Sequence, residues 1–354
     1  MTLFSSPAFE NHEGLHAFHD EAAGLNCLIA IHSTALGPAA GGVRMWPYPD
    51  DQAAIDDALR LSRAMSHKNA MAGIALGGGK SVIIGDSRTA KTPAMFEALG
   101  RAVESLGGRY WAAEDVGINP SDLAYARKQT RFVAGLEGHP AASGDPSPVT
   151  AEGVKRGIEL CVRRTLGRSL AEVTVAIQGV GHVGALLAGK LAAAGAKLVI
   201  CDVGAEATAA VAARTGARVV SPDAIFDVEA DVFAPCALGG AISADTLPRL
   251  KARIVAGGAN NQLTSAAIGQ ALFERGMTYA PDFVINGGGI INVAGEIRAI
   301  ERGEAFDHAW VEAKVAAMIG TLGEVLDRAV ADRQPADRVA VRMAKERIAA
   351  AKGR

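Results

Sequence analysis

Residues 173–202 open with Val173-Thr-Val-Ala-Ile-Gln178, turn through Gly179-Val-Gly181-His-Val-Gly184, and close on Lys197-Leu-Val-Ile-Cys-Asp202. The first and last pieces are apolar and β-branched, as strands buried on both faces are. Between them Leu186, Leu187 and Leu191 recur at helical spacing. A lone G-x-G-x-x-G carries little weight. Here it follows a strand, opens a helix, and has an acid eighteen residues past its last glycine. The glycines permit a tight turn and let a pyrophosphate approach the helix N-terminus, whose free N–H groups attract anions. Asp202 can accept hydrogen bonds from both ribose hydroxyls of NAD and would repel the 2′-phosphate of NADP. The stretch predicts a Rossmann-type dinucleotide-binding domain, with Gly179, Gly181, His182, Val183, Gly184 and Asp202 at the cofactor.

The strand–helix rhythm continues downstream, with strands expected at 217–220, 232–234, 254–256 and 278–280. The intervening turns include Gly257-Gly-Ala-Asn-Asn261 and Asn286-Gly-Gly-Gly289. Their asparagines and glycines either line a nicotinamide crevice or serve as turn residues tolerant of positive φ. Two helices, about 306–330 and 337–351, are split by Gln334-Pro335. Upstream, residues 135–149 hold three of the fourteen prolines and three glycines and read as a linker, after which Thr150 N-caps a helix to about Leu166. The organisation expected is α/β with two domains around a cleft. Residues 1–140 form an N-terminal substrate and oligomerisation domain and 141–335 the dinucleotide domain. Residues 336–354 form a terminal helix that packs back on the first.

Within the first domain, residues 68–80 run from Lys68 through Gly77-Gly-Gly-Lys80. The chain has eleven lysines against twenty-five arginines, so arginine is its default surface cation. A lysine is needed where an amine must shed its proton on desolvation, which a guanidinium does not do. The glycines admit a ligand close to the backbone, or form a turn into the strand Ser81–Ile84 with a solvated lysine at its start. A phosphate-binding loop ending Gly79-Lys80-Ser81 would need glycine at 74, where Ile74 stands. From Asp50 a helix presents Ile55, Ala58, Leu59, Ser62 and Met65 on one face and runs up to Lys68. Residues 25–34 read as a strand, Gly41-Gly42 as a second place of close approach, and Thr92-Pro93 as a helix start. The apolar strand Arg109–Ala113 ends in Glu114 and Asp115, where an α/β sheet presents chemistry. His12-Glu-Gly-Leu-His16 has the formal H-E-x-x-H pattern, but Gly14 interrupts it and no helical face follows; a strand with exposed histidines is expected instead.

A length of 354 residues suits two domains, and 49% apolar with 21% charged residues describes a soluble globular chain. A net charge of −2 offers no basic field to nucleic acid or an anionic membrane. No apolar run approaches the roughly eighteen residues of a membrane span. The first basic residue is Arg44, which speaks against a leader and for the cytoplasm. Cys27, Cys161, Cys201 and Cys236 show no metal-ligand or redox spacing, and no metal is expected.

A lysine pair suits a substrate bearing a carboxylate. One ammonium anchors it, and the other, beside that cation in a dry cleft, has its pKa depressed and becomes a usable base. Asp115 could then move the substrate's proton. The run Leu36-Gly-Pro-Ala-Ala-Gly-Gly-Val-Arg44, Lys68, Gly77-Gly-Gly-Lys-Ser81, Asp115, Gly144-Asp-Pro-Ser-Pro-Val-Thr150, Ala259-Asn-Asn-Gln-Leu263 and Val284-Ile-Asn-Gly-Gly-Gly-Ile-Ile-Asn-Val293 resembles the leucine/phenylalanine/valine dehydrogenases, which share a superfamily with glutamate dehydrogenase. The resemblance covers nearly the whole chain. It implies NAD-dependent, reversible oxidative deamination of an L-amino acid to a 2-oxo acid and ammonia by a homo-oligomer. It assigns Lys68 to the substrate carboxylate, Lys80 to activating the water that attacks the iminium, and Asp115 to the proton shuttle. Gly41 and Gly42 border the substrate, and Thr150 and Asn261 lie near the nicotinamide. Glutamate dehydrogenases hold the side-chain carboxylate with a lysine where Ala40 stands, and Val293 replaces a hydroxyl residue. With Ala113 and Ile290 these leave an apolar pocket, and Ala40, smaller than the usual leucine, leaves room in it. Two other readings differ in class: a non-catalytic NAD-binding protein, which would not need the lysines, and a metalloprotease resting on His12, Glu13 and His16.

Overall fold

The computed structural model describes residues 3–353. The chain divides into two compact units. One comprises Met1–Asp145, Ile290–Val311 and Ala344–Arg354, and the other Pro146–Gly289 and Glu312–Met343. The first division falls after Asp145, where the sequence suggests one after residue 140, and two later segments belong to the first unit.

The first unit holds β1 (Gly14–Asp20), β2 (Leu25–Ser33), β3 (Ala39–Trp46), α1 (Asp51–Ala72), β4 (Gly77–Ile84), α2 (Pro93–Ser105), β5 (Tyr110–Glu114) and α3 (Pro120–Arg127). Its sheet has the order β1-β2-β4-β3-β5; β2 runs antiparallel to β1 and β4, while β3 is parallel to β4 and β5. Alternation along β2 splits the core in two. Cys27, Ile29 and Ile31 pack with Phe96 and Leu99 of α2, whereas Ala30 packs with Ala54, Ala58 and Leu59 of α1. On β4 Ile83 joins the first cluster and Val82 the second, so Lys80 lies on the α1 face.

Helix ends follow their caps. Asp50 accepts from the Ala53 N–H at 2.8 Å, and Gly73, at φ 66°, closes α1 in the left-handed conformation. Thus α1 runs one turn beyond Lys68, which sits on the helix and not at its end. Asn119 and Asp122 form a reciprocal capping box on α3.

The second unit holds α4 (Ser147–Leu166), β6 (Thr174–Gln178), α5 (His182–Ala193), β7 (Lys197–Cys201), α6 (Ala205–Thr215), β8 (Arg218–Val219), β9 (Val232–Pro235), β10 (Ile254–Val255), α7 (Ala266–Glu274), β11 (Thr278–Tyr279) and α8 (Asp282–Ile285). Six parallel strands in the order β11-β10-β9-β6-β7-β8 make the doubly wound sheet that the glycine motif predicts. The order reverses between β6 and β9, beside the glycine turn. Three helices complete the chain: α9 (Gly288–Arg302), α10 (His308–Asp332) and α11 (Ala336–Lys352). From Ala344 onward α11 belongs to the first unit, where Lys345 pairs with Glu10 at 2.6 Å and Arg347 donates to the Ala70 carbonyl.

Several local expectations need correction. Gly77–Gly79 are not a turn but the start of β4. Gly288 and Gly289, expected in a turn, open α9 instead. Thr150 lies in the first turn of α4, which begins at Ser147 behind Pro146; Pro148 is tolerated there because a first-turn N–H has no helical partner. His12 is buried, not exposed.

Candidate active site

Lys80 is 5% exposed and its Nζ donates to Asp115 Oδ2. Burial lowers the Lys80 pKa, the Asp115 carboxylate opposes that fall, and the Arg44 cation adds to it; the net direction is down. Burial alone would raise Asp115. The Lys80 and Arg44 charges outweigh it and hold the carboxyl below its ordinary range. The pair is therefore an ionised carboxylate against an ammonium primed to lose its proton.

Glycine brings the two together. The register sets Gly42 beside Ala113, and Lys80 immediately precedes the Val43–Ser81 pair. A Cβ on Gly42 would stand 2.6 Å from both Asp115 Cβ and the Glu114 carbonyl, so only glycine lets the end of β5 close on β3. Gly41 meets the Gly79 carbonyl in the same way, and its own carbonyl accepts from the buried Tyr110 hydroxyl at 2.7 Å. Both glycines thus serve the protein's own packing, whatever ligand they border.

Lys68 is half-buried on α1, the helix that covers the Lys80 face. Ala40 and Ala113 are buried on adjacent strands. Ile290 and Val293 lie on the first turns of α9, which is tied down by two side chains. Asn292 donates to the Ser143 carbonyl at 3.2 Å, and the wholly buried Glu296 accepts from the Ser143 hydroxyl at 2.6 Å.

The second unit carries the expected cofactor residues. Gly179 has φ 96°, and a Cβ on Gly184 would collide with the Gly179 carbonyl, which fixes helix against turn. At Gly181 a Cβ would meet nothing within 4 Å, and the N-terminus of α5 carries no side-chain cap. Its first N–H groups are therefore left for an anion. Asp202 Oδ2 accepts from the Val180 N–H at 2.7 Å and Oδ1 from the Gly204 N–H at 3.0 Å. These bonds, that from Gly204 foremost, lower its pKa. His182 is exposed, while Val183 is half-buried and approaches Gly258. Thr150 is buried with its hydroxyl on the Pro146 carbonyl, and Asn261 is exposed at φ 50°.

His12, Glu13 and His16 do not share a helix. His12 Nε2 lies 2.9 Å from the Leu59 carbonyl, and Glu13 accepts from the Thr34 N–H and hydroxyl at 2.7 Å each. The zinc-protease reading is withdrawn.

Two family models match the chain: the dimerisation domain of Glu/Leu/Phe/Val dehydrogenase over residues 12–132, and Glutamate/Leucine/Phenylalanine/Valine dehydrogenase over residues 201–354. The chain belongs to this dehydrogenase family. It is 46% identical to leucine dehydrogenase of Thermoactinomyces intermedius, over 98% of this chain and 94% of that protein. To valine dehydrogenase of Streptomyces albus it is 42% identical, over 100% and 96%. The crystal structure of L-tryptophan dehydrogenase from Nostoc punctiforme matches with a TM-score of 0.84 at 38% identity, covering 97% of each chain.

The chain is accordingly an amino-acid dehydrogenase of the family and works with a nicotinamide cofactor. The Gly179–Gly184 turn lies outside both matched stretches, so its assignment rests on its geometry: an open glycine at an uncapped helix start, with an acid one strand away. Sequence reasoning missed one part of this dehydrogenase's candidate site. Arg44, to which the sequence assigns no role in the site, donates from Nε to Asp115 Oδ2 at 3.1 Å and from Nη1 to Asp57 Oδ2 at 3.0 Å. Asp57 of α1 also accepts from the Tyr48 hydroxyl at 2.7 Å and from Arg60. An acid on the strand-facing side of α1 and an arginine on a buried strand were the available signals.

Proposed function

We propose that this dehydrogenase catalyses the reversible, NAD-dependent oxidative deamination of a hydrophobic L-amino acid to its 2-oxo acid and ammonia. The observation that carries the reading is the pairing of buried Lys80 with half-buried Asp115 on the face covered by the helix of Lys68. Relatives named leucine, valine and tryptophan dehydrogenase support an apolar substrate. A nicotinamide dinucleotide, when bound, supplies the hydride acceptor.

The chain's residues do the rest. Lys68 holds the substrate carboxylate as an ion pair. Asp115 takes and returns the proton at the amino nitrogen. Lys80, its proton already weakened by burial, draws a proton from the water that attacks the iminium carbon. Ala40, Ala113, Ile290 and Val293 line the side-chain pocket and offer no hydrogen bond to a polar side chain. Gly41 and Gly42 border the substrate, and Thr150 and Asn261 lie near the nicotinamide. Gly179, Gly181, His182, Val183, Gly184 and Asp202 hold the remainder of NAD, with Asp202 excluding NADP. A homo-oligomer is supported by the family description of residues 12–132 as a dimerisation domain. A cytoplasmic enzyme is supported by four cysteines, three of them buried, with no spacing for a disulfide framework.

Reduction of NAD, followed by absorbance with each L-amino acid at alkaline pH, tests the substrate class. Lys80→Ala and Asp115→Asn should each lower kcat by roughly 10²–10⁴ while leaving NADH binding intact. Lys68→Ala should act mainly on KM, since its ion pair is present in the ground state. Turnover near normal in Lys80→Ala would refute the assignment, and L-glutamate as best substrate would refute the apolar pocket.

A further inference from the structure

Asp115 Oδ2 receives two cations, Lys80 from β4 and Arg44 from β3. A single carboxylate oxygen between two donors has its direction set by both. Lys80 alone, on a flexible four-carbon stem, would let the carboxylate swing. Arg44 does not swing, because its other arm is held by Asp57 Oδ2, and that oxygen also takes the Tyr48 hydroxyl, while Arg60 binds Asp57 Oδ1. Four elements thus converge on one chain of contacts: α1 through Asp57 and Arg60, β3 through Arg44, β4 through Lys80, and the end of β5 through Asp115. Tyr48 joins from the segment between β3 and α1. The Arg44 and Asp57 side chains are 23% and 14% exposed, so solvent screens the chain only in part.

We propose that Arg44 is a positioning residue of this dehydrogenase, an anchored fork that fixes the Asp115 carboxylate on Lys80, with Asp57 as the anchor. It touches neither the substrate nor the cofactor in this role and acts through Asp115. The proposal rests on the assignment of Lys80 and Asp115 above.

The charges make the proposal separable from mere packing. The Arg44 cation pushes the Lys80 pKa down, whereas the Asp57 anion pushes it up. Removing Arg44 therefore raises the pH at which Lys80 sheds its proton, and removing the Asp57 charge lowers it. Opposite displacements report that both charges act at Lys80, and a loss of kcat in Arg44→Lys, which keeps the charge, reports the positioning.

The experiment is the pH profile of kcat/KM for deamination in the full-length enzyme, comparing wild type, Arg44→Gln and Asp57→Asn. The titration of the free substrate amine is common to all three and drops out of the comparison. The expected result is a rising limb displaced to higher pH in Arg44→Gln and to lower pH in Asp57→Asn. A displacement of about half a pH unit is roughly three-fold in rate at a fixed pH on the limb. Arg44→Gln should also lose roughly 10-fold or more in kcat as the carboxylate loses its direction, with KM little changed. Displacements of the same sign, or none, overturn the proposal. Should Arg44→Gln fail to fold, Arg44→Lys decides: it keeps the charge but lacks the planar fork that holds Asp115 and Asp57 in a fixed direction, so kcat falls while the limb stays near its wild-type position. Wild-type kcat in Arg44→Lys overturns the proposal. Full activity in Lys80→Ala and Asp115→Asn would instead remove the mechanism on which it rests.

Discussion

At the scale of single residues, Asp202 does two things at once. Its two oxygens accept the Val180 and Gly204 N–H groups, which ties the end of β7 to the glycine turn. Under the NAD assignment proposed above, the negative charge thereby fixed at the strand end disfavours a second phosphate on the ribose, and Val203-Gly204 bring no arginine to relieve it. Like charges set against each other cost several kcal/mol, so Asp202→Ser should lower the NAD-over-NADP ratio of kcat/KM by roughly 10-fold or more. Serine can replace only one of the two acceptor roles, and part of the change should therefore be a loss with NAD. Steady-state kinetics with both cofactors checks this, and an unchanged ratio rejects it. Asp202, Lys80 and Asp115 can be singled out as candidates in the sequence because each sits at or beside a recognisable strand. Arg44 cannot: its partners lie 13 and 71 residues away, and only the fold reveals a pairing of that span.

At the scale of elements, strand–helix periodicity located nearly every strand of both sheets, because burial on both faces leaves long apolar runs. It failed where glycine was the message. Gly77–Gly79 looked like punctuation, yet they are strand residues whose missing side chains let neighbours in. A Cβ on Gly78 would overlap the Ser66 N–H and hydroxyl, and one on Gly79 would stand 2.6 Å from the Tyr110 ring. The same misreading hid α9, which opens on Gly288 and Gly289, residues of poor helix propensity. Gly288 is required there by the Val149 carbonyl, 2.5 Å from where its Cβ would stand. This gives a paired prediction. Gly78→Ala must push α1, with Lys68 on it, off the sheet. Overpacking of this kind costs about 1–3 kcal/mol, and KM for the amino acid should rise with it. Gly189→Ala, inside α5 with open space around it, should instead gain about 0.5–1 kcal/mol from helix propensity. Urea denaturation of both variants measures the contrast. Equal stabilities would mean that β4 and α1 are not in the close contact described.

At the scale of the whole molecule, two domains were foreseeable from length, and among the described residues no helix is long and apolar enough to cross a membrane. Less foreseeable was how stability depends on pH. Three histidines gather between β2 and α1: the His12 and His32 ring centroids are 4.8 Å apart, and those of His32 and His67 6.2 Å. The Glu10 N–H donates to His12 Nδ1 at 3.1 Å, so His12 Nε2 carries the proton toward the Leu59 carbonyl and the ring is neutral. Burial, with the neighbouring histidines adding to it, pushes His32 down to about 3. Burial, then the Lys345 and Arg63 charges, pushes His67 down to about 4, with Glu10 opposing. In the unfolded chain these rings titrate near about 6.5. Between that value and their native values the unfolded chain binds more protons, so their contribution to stability is complete above about pH 6.5 and is lost as pH falls. Each ring should steepen the loss by up to about 1.4 kcal/mol per pH unit. The carboxylates held low in the native state, Asp57 and Asp115 among them, act in the same direction but only at lower pH. The histidines therefore carry the loss between pH 6 and pH 5, opposed by Asp337, whose carboxyl burial pushes up. His32→Gln keeps a hydrogen-bonding group for the Ser66 hydroxyl, 2.7 Å from His32 Nδ1, and removes one titrating ring. Its unfolding free energy, from urea titrations at pH 7, 6 and 5, should fall less steeply than that of the wild type by about one proton's worth. Parallel lines would mean that His32 is protonated in the native state and that the cluster does not carry the acid sensitivity.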